Sequence, residues 1–179
     1  GLLGISGEAS AVVTESVAEI PVAAEGSVVE PVAIVSMGLR LPGGVATPDD
    51  YWQVLAGGVD LVGPFPPRWD TNKLYDPDPE SRGKSLAREG GFIKDVDRFD
   101  AAFFGIAPRE AEAMDPQQRL ILEVTWEALE RAGLTAPMLE QSSTGVFIGS
   151  IGSDYSPRSL ESLNGYHGTG TLLSVISGR

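Results

Sequence analysis

Cysteine is absent from all 179 residues, which removes a disulfide framework, a thiolate metal site and a thiol nucleophile from consideration. Histidine occurs once, at His167, so no histidine pair is available for metal binding or proton transfer. Basic residues are scarce, 13 against 25 acidic ones, for a formal charge of −12. Neither nucleic acid nor an anionic membrane is therefore expected as a partner, because such a chain would release few counterions on binding. Apolar runs are all too short to span a bilayer. No basic region precedes an apolar run near the N-terminus, so no secretory signal is expected and the cytoplasm is the default compartment.

What is present fits one domain with its own core. The most informative stretch runs from Ala107 to Gly149. Asp115 is a good N-cap, Pro116 suits the first helical position, and Gln117 and Gln118 fill the first turn. Leu120, Ile121, Val124, Ala128 and Leu129 recur at helical spacing, with Glu123, Glu127, Glu130 and Arg131 mostly on other faces. The spacing predicts an amphipathic helix ended by Gly133 as a C′ residue. Thr144–Gly149 (T-G-V-F-I-G) is β-branched and aromatic between glycines, and predicts a strand buried on both faces. A capped helix feeding a buried strand means an α/β core.

Residues 1–29 are rich in Ala, Val, Ser and Glu, contain no Lys or Arg, and show no sustained period. They read as a solvated acidic linker; a remnant foreign to the domain is the alternative. Val32–Val35 predicts a central strand, broken at once by Gly38, Pro42, Gly43 and Gly44. Thr47, Pro48, Asp49 and Asp50 form a helix start, Tyr51, Trp52 and Leu55 give it an apolar side, and Gly57-Gly58 stops it. From Val59 to Gly91 prolines and glycines recur, and little regular structure is expected before a brief strand at Phe92-Ile93. Phe99, Phe103 and Phe104 are read as packing anchors. A Ser-rich loop over residues 152–166 leads to the His167–Thr171 turn and a last helix over residues 172–179.

Few motifs carry chemistry. Gly83-Lys84-Ser85 fails as a phosphate loop because Asp78 stands where its first glycine belongs. Gly149-Ser150-Ile151-Gly152 has the wrong spacing for a nucleophile elbow. Asp115, Arg119 and Glu123 are read as a cap with flanking ion pairs. Arg40 and Arg109 are candidate contacts for an acidic partner, with internal ion pairing as the alternative. His167, alone in a glycine-rich segment, is read as structural or solvent-facing.

Several segments together resemble one family. E-A-E-A-M-D-P-Q-Q-R at Glu110–Arg119, L-E-V-T-W-E-A-L-E-R-A-G at Leu122–Gly133 and T-G-V-F-I-G at Thr144–Gly149 are similar to the N-terminal half of the β-ketoacyl synthase (ketosynthase) domain of modular type I polyketide synthases. E-P-V-A-I-V-S-M-G-L-R-L-P-G-G at Glu30–Gly44, F-P-P-R-W-D at Phe65–Asp70, G-G-F-I at Gly90–Ile93 and F-D-A-A-F-F-G-I-A-P-R-E-A at Phe99–Ala111 follow that pattern in order. Leu39, Leu41 and Ala107 depart from it at positions where cysteine, phenylalanine and serine are common in the family.

The resemblance implies an α/β, thiolase-like fold of which this chain holds the N-terminal half, an incomplete mixed sheet with helices, over residues 30–179. It implies a parent acyltransferase that joins acyl thioesters to malonyl-type extender units by decarboxylative Claisen condensation. Substrates would arrive on the phosphopantetheine arm of acyl carrier protein, with no cofactor bound directly. Further partners would be the remainder of the ketosynthase domain and a second copy in a homodimer. The family's reactive cysteine and its two catalytic histidines have no counterpart in residues 1–179, so no catalytic residue is assigned and the chain alone is expected to be inactive and loosely folded. The resemblance makes Thr169, Gly170 and Thr171 candidates for the acyl pocket or the dimer interface; a glycine-permitted tight turn is the structural alternative. A non-catalytic segment that only binds carrier protein or dimerises is the second functional reading. A hydrolase or nucleotide-binding enzyme is a distant third.

Overall fold

The computed structural model describes residues 30–155 and 165–179. The expected linker, residues 1–29, lies outside the described residues, as do residues 156–164 of the Ser-rich loop. The chain divides into two units, residues 1–33 and 34–179. Of the first unit only residues 30–33 are described, and they form neither helix nor strand. The elements below all belong to the second.

A single 3₁₀ turn at Pro42–Gly44 precedes α1 (Pro48–Gly57). As its sequence predicts, α1 opens with a reciprocal capping box: Asp50 N–H donates to Thr47 Oγ1 at 3.1 Å and Thr47 N–H to Asp50 Oδ2 at 3.1 Å. Gly58, at φ +59°, closes it, with Gly58 N–H bonded to the Leu55 carbonyl and Val59 N–H to that of Val54. Its apolar side chains are not buried, and Trp52 is 69% exposed.

β1 (Gly63–Pro64) and β2 (Glu89–Gly90) pair antiparallel as a two-residue ladder, with α2 (Thr71–Leu74) between them. Proline and glycine leave room for little more. The brief strand expected at Phe92-Ile93 is thus found three residues earlier, at Glu89–Gly90. Phe92 instead joins Phe65 and Trp69 in a triangle of rings with centroids 5.3–5.4 Å apart. The F-P-P-R-W and G-G-F segments are pinned together by aromatic packing more than by the ladder.

α3 (Pro108–Ala113) leads straight into α4 (Pro116–Arg131), the longest element. Asp115 caps α4, accepting from Gln117 N–H at 2.8 Å, and Pro116 occupies its first position. Gly133, at φ +68°, ends it: its N–H reaches the Glu130 carbonyl at 3.0 Å, and Leu134 N–H reaches that of Leu129 at 2.9 Å, a Schellman closure. The predicted start and stop are both met. Phe99, Phe103 and Phe104 form a chain of ring contacts ending on Trp126 of α4 at 4.9 Å, as anchors should. The chain then runs through α5 (Ala136–Leu139) to α6 (His167–Thr171) and α7 (Leu173–Ile176).

Two predicted strands are not formed. Val32–Val35 and Thr144–Gly149 carry no strand, and Val32 and Phe147 are 95% and 96% exposed. A strand needs a neighbour to take its N–H and C=O groups, and among the described residues neither segment has one. The His167–Thr171 segment departs too, being a short helix where a tight turn was expected.

The core lies elsewhere than the strands. Ala113, Met114, Asp115 and Gln118 are buried at the junction of α3 and α4, with Gly170 of α6 against them; Val45 and Ile176 of α7 are also buried. The apolar stripe of α4 is only half-buried.

Candidate functional site

The M-D-P-Q-Q-R segment and the G-T-G-T segment, about fifty residues apart in sequence, are locked together. Asp115 N–H donates to the Gly170 carbonyl at 2.8 Å. A Cβ at Gly170 would fall on the Ala113 carbonyl oxygen, 2.8 Å from that carbonyl's carbon and 3.2 Å from Met114 Cα. Gly170 is not in the left-handed region, so its lack of a side chain serves close approach of α6 to α3 and not backbone freedom.

The three sequence candidates thus share α6 but differ in setting. Gly170 is buried, Thr171 half-buried and Thr169 exposed. Both threonine hydroxyls turn back onto their own helix, Thr169 Oγ1 donating to the Tyr166 carbonyl at 3.1 Å and Thr171 Oγ1 to that of His167 at 2.7 Å. Their methyl groups are what each can offer to a partner surface. His167 opens the helix, half-buried.

Residues that the sequence reading passed over surround α6. Gln118, assigned only to the first turn of α4, is 2% exposed and donates from Nε2 to the carbonyls of Thr169 and Leu172 at 3.3 and 3.5 Å. Arg179 donates from Nη2 to the same Thr169 carbonyl at 3.3 Å, while its Nη1 pairs with Glu110 Oε1 of α3 at 2.7 Å. On the far side of the cap, Ser153 Oγ donates to Asp115 Oδ2 at 2.5 Å, Ser150 Oγ to Gln117 Oε1 at 3.0 Å, and Tyr155 OH to the Glu112 carbonyl at 2.8 Å. The polar residues of M-D-P-Q-Q-R therefore tie together three otherwise separate loops and helices. A polar run, Gln117 to Arg119, opening an otherwise amphipathic helix was the available signal.

The two candidate partner-facing cations divide. Arg40 is an internal ion pair: its guanidinium forks onto Glu127 of α4, with Nη1 2.8 Å from Oε2 and Nη2 against Oε1. Hydrogen bonding from Arg40 holds the Glu127 carboxyl below its ordinary pKa, while burial pushes up that of Glu123, one turn away. Arg131 adds bonds to the Met37 and Ala46 carbonyls, both at 3.2 Å, so the segment after the first predicted strand is fastened to α4. Gly38 lies so close to α4 that a Cβ there would meet the Val124 carbonyl. Arg109 is exposed and makes no ion pair among the described residues. The expected pairing of Arg119 with Glu123 is not formed; Arg119 lies 5.9 Å from the Tyr155 ring.

A cleft of about 480 Å³ is lined by Leu61, Pro66, Pro67, Phe92 and Ile93 among others, with Arg68, Lys94, Asp95 and Asp97 also on its wall. Among the described residues no group of three or more acidic or histidine side chains converges to hold a metal ion. No helix among them is long and apolar enough to cross a membrane.

Comparison with known proteins agrees with this geometry. NorC of the spectinabilin polyketide synthase system of Streptomyces orinoci is 56% identical over 155 residues, 84% of this chain and 7% of that protein. The pikromycin polyketide synthase component PikAII of Streptomyces venezuelae is 54% identical over 155 residues, 84% of this chain and 4% of its own length. Among solved structures, the oxazolomycin ketosynthase domain OzmH KS7 of Streptomyces albus JA3453 superposes with a TM-score of 0.55 at 39% identity, over 60% of this chain and 19% of that one. The ketosynthase from module 6 of the bacillaene synthase of Bacillus subtilis 168 gives 0.50 at 38% identity, over 60% and 18%. The chain thus spans less than a tenth of these curated relatives, and its neighbours assign it to the thiolase-like α/β class. Residues 29–179 match the family model "Beta-ketoacyl synthase, N-terminal domain", and the chain belongs to that family.

Proposed function

We propose that this chain supplies the N-terminal part of a condensing ketosynthase in a modular type I polyketide synthase. The complete domain performs decarboxylative Claisen condensation: a cysteine thiolate takes the acyl group, and two histidines promote loss of CO₂ from a malonyl-type extender and stabilise the oxyanion. Residues 1–179 contain neither that cysteine nor a histidine pair. The role of this chain is to build the wall and scaffold around chemistry supplied elsewhere in the domain. Acyl carrier protein delivers both substrates on its phosphopantetheine arm, a second ketosynthase copy completes a homodimer, and the synthase works in the cytoplasm. Residues 1–29 join the domain to what precedes it.

The observation that carries this reading is the seating of α6 on the M-D-P-Q-Q-R junction. It fixes a small-residue helix, with Thr169 and Thr171 either side of a buried glycine, against the most buried point of the structure. Such a helix suits an acyl pocket or a dimer interface, since it presents methyl groups at a precisely held height. Similarity to synthase components over 84% of the chain supports the same conclusion. The test is acyl transfer to the full native polypeptide containing this chain, using acyl N-acetylcysteamine thioesters of graded length. Thr171→Ser, which keeps the hydroxyl bond to the His167 carbonyl and removes the methyl, should alter the preference among them by about tenfold or more, since one lost methyl-sized contact carries about 1–3 kcal/mol. Unchanged preference in both Thr169→Ser and Thr171→Ser would remove the pocket role.

A further inference from the structure

Two side chains from different parts of the chain converge on one carbonyl of α6. Gln118 Nε2 and Arg179 Nη2 both donate to the Thr169 oxygen, each at 3.3 Å. That oxygen is among the last four carbonyls of α6, which have no N–H of their own helix to accept from. A helix of five residues is too short to hold its own shape. Its ending must be fixed from outside.

The two donors are themselves fixed. Arg179 is anchored through Nη1 to Glu110 Oε1 at 2.7 Å and lies against Met114 Sδ at 3.6 Å; its side chain is 11% exposed. Gln118 projects from the first turn of α4, behind the Asp115 cap. The arrangement is poor for stability alone. Gln118 Oε1 and Arg179 Nε are buried without hydrogen-bond partners. Methionine at position 118 would fill a similar volume without bringing a buried, unpaired acceptor of its own. What methionine could not do is hold the Thr169 and Leu172 carbonyls.

We infer that Gln118 and Arg179 are positioning residues for α6: together they fix the Thr169 carbonyl, and through it the height at which Thr169 and Thr171 meet the acyl chain or the partner copy. The clamp stands on its own geometry; its effect on selectivity rests on the function proposed above. Arg179 works as a fork, one arm on Glu110 and one on Thr169, and lysine has no second arm to replace it.

The experiment uses the full native polypeptide with Arg179→Lys, Gln118→Met and, as a gauge of the site itself, Thr169→Ser and Thr171→Ser. Backbone hydrogen exchange is followed over residues 165–173, with α1 as internal reference. Acyl loading from a short and a long acyl N-acetylcysteamine thioester gives the selectivity ratio. Both clamp variants should speed exchange at α6 by about tenfold while leaving α1 unchanged. Both should also shift the selectivity ratio about 5-fold, through KM more than kcat, because sub-ångström misplacement is enough to alter acyl fit. Unchanged exchange at α6 overturns the clamp, and so does an equal rise in every segment, which would mean general destabilisation. A ratio that Thr171→Ser shifts but neither clamp variant does overturns the positioning role. If neither threonine variant shifts the ratio, the proposed site fails, and exchange at α6 alone then decides for or against the clamp.

Discussion

Replacing Gly170 by alanine isolates the contact on which the fold turns. The added methyl would land on the Ala113 carbonyl, with that carbonyl's carbon at 2.8 Å and Met114 Cα at 3.2 Å. All three neighbours are backbone, so no side-chain rotation relieves the clash, and α6 has to lift from α3. Overpacking of this kind costs about 1–3 kcal/mol. Lifting also breaks the 2.8 Å bond from Asp115 N–H to the Gly170 carbonyl at a buried position, worth about another 1–3 kcal/mol. Alanine's better helix propensity returns about 1 kcal/mol. The net loss is about 1–5 kcal/mol, or roughly 2–20 °C in Tm for a domain of this size.

Gly168 supplies the control within the same helix. A Cβ there meets nothing within 4 Å, and its φ is not left-handed. Gly168→Ala should therefore stabilise by about 0.5–1 kcal/mol, by restricting the unfolded chain and favouring helix. Thermal and urea unfolding of the two variants in the full polypeptide should move in opposite directions. If Gly170→Ala melts within about a degree of Gly168→Ala, α6 is not seated on the Ala113 carbonyl and the described core is wrong.

Three further predictions follow from the electrostatics and the cap. Glu127 has its pKa lowered by Arg40, so its contribution is present above the unfolded carboxylate pKa and fades as pH falls through the folded one; Glu127→Gln should lose about 1–2 kcal/mol near pH 7 and converge on the parent in acid, as read by urea midpoints. Glu123 has its pKa raised by burial, so its contribution is full below the unfolded pKa and is lost as pH rises through the folded one; Glu123→Gln should gain stability relative to the parent as pH rises above about 4, and a variant that loses stability relative to the parent over that rise would contradict the burial. Asp115→Ala removes both the α4 cap and the Ser153 bond and should lose about 1–2 kcal/mol, with Asp115→Asn recovering most of it; equal losses in the two variants would show that capping is not what Asp115 does.

Helix ends were the legible part of this sequence, because each rests on chemistry within a few residues. Thr47 with Asp50, Asp115 with Pro116, and the glycines at positions 58 and 133 behave as their local chemistry requires. Strands were not, because pairing is a long-range property: the apolar content of Val32–Val35 and Thr144–Gly149 indicates a wish for cover, and no neighbour provides it among the described residues. At the site, the sequence marks Gly170 as special but suggests backbone freedom as the reason, whereas the structure shows contact with Ala113. Gln118 and Arg179 were hidden because a glutamine in a first turn and an arginine after a glycine look solvated until three elements meet around them. Arg40 was open between partner contact and ion pairing, and only the distance to Glu127 decides it.

The most direct single measurement is intact mass of the native polypeptide that contains this chain, before and after incubation with an acyl N-acetylcysteamine thioester, with the adduct located by peptide mapping. A condensing ketosynthase predicts a polypeptide well above the 18.9 kDa of these residues, carrying one acyl group on a cysteine outside residues 1–179. A native polypeptide that takes up no acyl group would contradict the condensing role and leave carrier-protein binding or dimerisation as its function.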